Sequence, residues 1–174
     1  MRRRRASRRG YSRPLKTIKY SNETTSFAET IQFLNGDGQY NCLMVSAVNA
    51  QGMRKAKNFT LKIACSAPQP ILWALVYVPQ GQNPGSVGIG TSQAPVALYE
   101  PNQNVIMAGT LSMTLTPAGG TASSTAYHPQ ISRTRLARNL NSGDAIWLVL
   151  KGAAGQGNAF DADMSVMLNY AITY

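Results

Sequence analysis

The sequence predicts an all-β protein: a two-sheet, eight-stranded antiparallel jelly roll preceded by a basic N-terminal arm. Three observations carry this. Apolar or alternating stretches recur about eight times at spacings that suit a sandwich. No amphipathic helical pattern exceeds about ten residues. β-branched residues, Gly and Pro are abundant where helix formers are sparse, so a helical bundle would contradict local propensity throughout. With 174 residues and 44% hydrophobic content the chain has room for one core plus a tail. The organisation expected is an arm at residues 1–19 and a folded domain at 20–174.

Residues 14–24 read as a transition, and period-two patterning begins after it. Residues 27–34 form the first expected strand. Asn35-Gly36-Asp37-Gly38 follows as a hairpin turn or tight corner, and residues 40–48 form the second strand. In residues 54–64 and just beyond, Phe59, Leu61, Ile63 and Cys65 share one face while Asn58, Thr60 and Lys62 share the other, so this strand is half buried. Residues 71–78, ILWALVYV, are apolar on both faces and bounded by Pro70 and Pro79, which is the pattern of a strand covered on both sides.

Residues 80–98 form a long surface loop, whose glycines have the wrong spacing for a nucleotide fingerprint. Two short runs, 104–108 and 111–115, flank Gly109, and 116–124 is another loop. Residues 127–140 carry a second basic cluster, the turn Asn141-Ser142-Gly143-Asp144 leads to a doubly apolar strand at 145–151, and 152–158 is Gly-rich. In the last strand Met164, Val166, Leu168, Tyr170, Ile172 and Tyr174 line one face.

Charge divides the chain. Residues 1–19 hold Arg2, Arg3, Arg4, Arg5, Arg8, Arg9, Arg13, Lys16 and Lys19 with no carboxylate, a charge of +9, whereas residues 20–174 sum to +1. So many like charges cannot enter a core, so the arm is expected to stay solvated until it meets a polyanion. Arginine forks onto phosphate oxygens, and each neutralised phosphate releases counterions. A nuclear import signal alone is the plainer reading, but such signals need only about 5 to 8 basic residues and this run goes on. Nine phosphate contacts predict a slope of about −6 for log affinity against log salt on single strands. Removal of residues 1–13 leaves Lys16 and Lys19 and predicts about −1.

Tyr11 and Tyr20 interleave with these cations and are candidates to stack on unpaired bases. Arg54, Lys55 and Lys57, with Arg133, Arg135 and Arg138, are candidate secondary nucleic-acid contacts. The competing reading, that they flank strands and pair with neighbouring carboxylates, is slightly preferred. Trp73 and Trp147 are expected in the core.

No apolar stretch follows the basic start as a signal peptide requires, and no run of about 18 apolar residues predicts a membrane span. A reducing compartment is expected, with Cys42 and Cys65 as buried thiols in strands. Two cysteines and one histidine, His128, cannot make a four-ligand zinc site, and no nucleophile elbow accompanies His128. Asp161 and Asp163 could offer oxygens to a cation, but the preferred reading is a turn before the last strand. No catalytic residue, metal or cofactor is expected.

Several motifs occur in a fixed order after the basic arm: KNFTLKI at 57–63, LVYVPQG at 75–81, YEPNQNVI at 99–106, and RNLNSGD at 138–144 leading into a hydrophobic strand. Together, over residues 54–152, they resemble the capsid proteins of circovirus-like single-stranded DNA viruses. The chain is shorter than the better-known members, with fewer arginines in its arm and shorter loops. The resemblance implies a virion protein: one jelly roll, a T=1 icosahedral shell of roughly 60 copies, and an inward arm on a single-stranded DNA genome. It also implies assembly in the host nucleus after recognition by import factors, and a cell-surface receptor. The coats of small satellite RNA viruses share this plan. A monomeric basic nucleic-acid-binding β protein is the alternative from another class, and a jelly-roll lectin or enzyme with an incidental tail is a third.

Overall fold

The computed structural model describes residues 19–34, 38–49, 52–84, 104–111, 129–152 and 159–173. These form eight strands: β1 (Ser21–Phe33), β2 (Gln39–Val45), β3 (Arg54–Ser66), β4 (Ile71–Val78), β5 (Val105–Leu111), β6 (Gln130–Leu140), β7 (Ala145–Gly152) and β8 (Phe160–Ile172). They lie in two four-stranded antiparallel sheets, β1-β8-β3-β6 and β2-β7-β4-β5, here called the first and second sheets. Every connection except β4 to β5 crosses from one sheet to the other, which is the jelly-roll winding.

The first sheet alternates. In β8, Phe160, Ala162, Met164, Val166 and Leu168 are buried while Asp161, Asp163, Ser165 and Met167 are exposed, so this sheet has one dry face and one wet face. The second sheet does not alternate. β4 is buried at every position except the partly exposed Tyr77, and Leu72, Ala74, Val76, Val78 and Val149 form an apolar cluster separate from the main core. Between the sheets, Phe33 stacks on Phe160 with centroids 4.8 Å apart, and Phe59 lies 6.4 Å from Tyr170.

Gly109 has a packing reason. A Cβ there would lie 2.7 Å from Trp73 Cζ2, so only glycine lets the indole rest on the β5 backbone. At one end of the sandwich Asp144 is buried and accepts three hydrogen bonds: from Tyr77 Oη (2.6 Å), Asn141 N (2.8 Å) and Gln80 N (3.1 Å). Burial pushes its pKa up, but these donors outweigh burial and hold the carboxyl below its usual 3.8. The same contact works in reverse on the phenol: burial, then the bond to Asp144, raises Tyr77 to about 12.

Several expectations are corrected. β1 starts at Ser21, six residues before the expected strand, because its first half is polar and shows no apolar alternation. β1 and β2 pair with β8 and β7 and not with each other, so of the two expected alternatives, hairpin or corner, the hairpin is excluded. The two runs on either side of Gly109 contribute to one strand, β5. Asp161 and Asp163 lie inside β8, not in a turn before it, and Thr30 Oγ1 donates to Asp163 Oδ1 at 2.6 Å. Trp73 is core, but Trp147 is only half buried and packs on the second sheet's outer cluster. Cys42 and Cys65 are in strands but half exposed. Burial raises both thiols to about 11, with Glu29 adding to the effect on Cys42 and Asp163 to that on Cys65. The expected loop at 116–124, most of that at 80–98, Asn35 to Asp37, and His128 lie outside the described residues.

Candidate nucleic-acid interface

Of the arm, Lys19 and Tyr20 are described; Arg2, Arg3, Arg4, Arg5, Arg8, Arg9, Tyr11, Arg13 and Lys16 lie outside the described residues. The chain joins the first sheet at Ser21, opposite Ile172, and the next residue, Asn22, aligns through Ala171 with Lys57. Lys57 Nζ sits 3.5 Å from the centre of the Tyr20 ring. Such a cation–π contact is worth roughly 0.5–1 kcal/mol where exposed. One face of Tyr20 is therefore covered by Lys57, which places the ring on the outward face of this sheet.

That face carries the cations. β3 begins with Lys55 and Lys57 outward and Ala56 inward; at Asn58 the φ angle is +57°, and the register with β8 shifts between Lys57 and Thr60. This β-bulge inserts one residue, so that Phe59, Leu61 and Ile63 face the core and Thr60 and Lys62 face outward. Without the bulge, Lys55 and Lys57 would share a face with Phe59 and point into the core. On β6, Arg133 is paired with Thr60 and is exposed, as is Arg135. Five cations, Lys55, Lys57, Lys62, Arg133 and Arg135, thus share one face of two adjacent strands. Residues two apart on a strand are about 6.6 Å apart, and neighbouring strands about 4.8 Å.

Arg54 and Arg138, grouped with these cations from sequence, belong elsewhere. Arg54 is 8% exposed and its Nη2 donates to Ser46 O at 3.1 Å. Arg138 pairs with the inward Ala56 and its Nη2 reaches Val105 O on β5 at 3.3 Å, tying the two sheets together. Both are structural. The expectation that the secondary cations pair with carboxylates also fails for three of them: among the described residues no ion pair involves Lys55, Arg133 or Arg135, and none involves the neighbouring Lys62. The carboxylates of this face, Asp161 and Asp163, lie toward its other end, where Asp163 is paired with Ser66.

Lys62 was missed from sequence because it reads only as the polar side of a half-buried strand. The clue to the direction of Lys55 and Lys57 was Asn58, a residue type that tolerates positive φ. Among the described residues no group of three or more His, Cys, Asp or Glu could hold a metal ion. Comparison with protein-family models and with curated proteins finds no match.

Proposed function

We propose that the chain is a coat protein that assembles into a closed shell and packages single-stranded nucleic acid through its arginine arm. The single observation that carries this reading is the partition of charge: +9 in residues 1–19, joined to a jelly roll whose remaining chain sums to +1. A jelly roll is a scaffold that many functions use, so the fold alone decides nothing. The arm selects polyanions, and the residue that follows it, Tyr20, has its ring on Lys57 of the cationic face. The resemblance to circovirus-like capsid proteins favours DNA over RNA, a T=1 shell and assembly in the host nucleus, with import factors and a receptor as host partners. No catalytic role is proposed.

A monomeric nucleic-acid-binding protein is the second reading, and the five clustered cations favour it, because such a protein needs basic residues on its folded surface. Sedimentation separates the two. The coat reading expects a closed particle of roughly 60 copies; a monomer at every pH and salt concentration, with and without nucleic acid, would sink it.

A further inference from the structure

We propose that the outward face of the first sheet is a second phosphate-binding surface, built by Lys55, Lys57, Lys62, Arg133 and Arg135, which grips a single nucleic-acid strand by its backbone independently of the arm. It rests on the coat reading only for the nature of the polyanion. Five like charges over about 20 Å of two strands repel one another, and a chain of anions relieves that repulsion. None of Lys55, Lys62, Arg133 and Arg135 has a carboxylate partner among the described residues. The arrangement also departs from plain alternation: the bulge at Asn58 brings Lys62 to the same face as Lys55 and Lys57.

The surface has a direction. Asp161 and Asp163 stand toward its far end and repel phosphate there, while the Tyr20 ring rests on Lys57 at the other end. Apart from Tyr20, the side chains that share the outward face with the cations on β3 and β6 are aliphatic or small and polar: Thr60, Ala64 and Ser66 on β3, Ile131, Ala137 and Asn139 on β6. Tyr20 is thus the one aromatic side chain described there, and because phosphate contacts and stacking alike tolerate any base, binding is indifferent to sequence.

The test measures the affinity of full-length protein for a labelled dT30 oligonucleotide across salt concentrations. Nine arm cations and five face cations give a slope of about −10, and Gln at all five face positions should bring it to about −6. Each doubling of salt should then weaken the wild type about 11-fold more than this variant. A full-length chain with Gln for its seven arm arginines should keep about −5, not the −1 expected if the folded domain contributes nothing. A face variant with the wild-type slope overturns the inference. An arm variant with the wild-type slope overturns the arm's role and leaves the face standing. Acetylation of the unaltered protein gives a readout free of folding effects: dT30 should slow modification of Lys55 and Lys62 several-fold but leave Lys151, on the other sheet, unchanged. Equal rates at all three lysines overturn the inference as well.

Discussion

The two sheets solve different problems with the same number of strands. The first is buried on one side and displays polar and charged side chains on the other; the second is buried on both sides at β4 and at most of β7. A strand that alternates can carry function on its wet face without disturbing its dry one. A strand that is dry on both faces can carry only packing. That is why the cations gather on β3 and β6, whereas among the described β4 and β7 residues the only basic side chain is Lys151, near the end of β7.

The largest expected effect breaks this comparison at its strongest point. Val149→Asp places a carboxylate in the second sheet's outer cluster, where the residue is fully buried, and should cost about 4 kcal/mol or more, enough to prevent folding. Ser26→Asp is the matching change on the first sheet's outward face, on the edge strand β1, and should alter stability by no more than about 0.5 kcal/mol. Chemical denaturation of both variants decides. Similar costs would mean that the second sheet's outer face is open to water.

Gly109→Ala is next. The added methyl must push the buried Trp73 indole, and overpacking of this kind costs about 1–3 kcal/mol, read as a lower denaturation midpoint at unchanged slope. Asp144→Ala should cost a similar amount, about 1–3 kcal/mol at neutral pH, by leaving the Tyr77 hydroxyl and two backbone donors without their acceptor. Its folded pKa lies below 3.8, so its ionised form stabilises the fold above that value, and the contribution is lost as pH falls through the folded pKa. Acid titration of stability should therefore be shallower in Asp144→Ala than in the wild type below about pH 4.

What could be read in advance follows the same division. The two central strands of the second sheet were plain in the sequence, because ILWALVYV and AIWLVLK admit no solvent side and their proline and Gly-Asp boundaries stop them cleanly. Strand β8 was plain through its buried face. The start of β1 was not, since Ser21 to Ser26 contains no apolar residue and pairing with β8 alone makes it a strand. Gly109 looked like a break because sequence cannot reveal the tryptophan lying against it. The cationic face was half legible. Arg133 and Arg135 were named, and so were Lys55 and Lys57, but one residue at positive φ, Asn58, decides which way the lysines point. Arg54 and Arg138 looked equivalent to them, and only their register assigns them to the interior.

The proposed function joins arm and sandwich in one claim: that the domain builds a shell and its cations fill it with nucleic acid. The most direct measurement is the nucleic acid that survives nuclease treatment of the expressed protein and co-sediments with it. The account predicts a fast-sedimenting peak of assembled 18.8 kDa subunits that retains nuclease-resistant nucleic acid, with that nucleic acid falling when the seven arm arginines become Gln. Protein that sediments as a single subunit, with all accompanying nucleic acid digested, would contradict it.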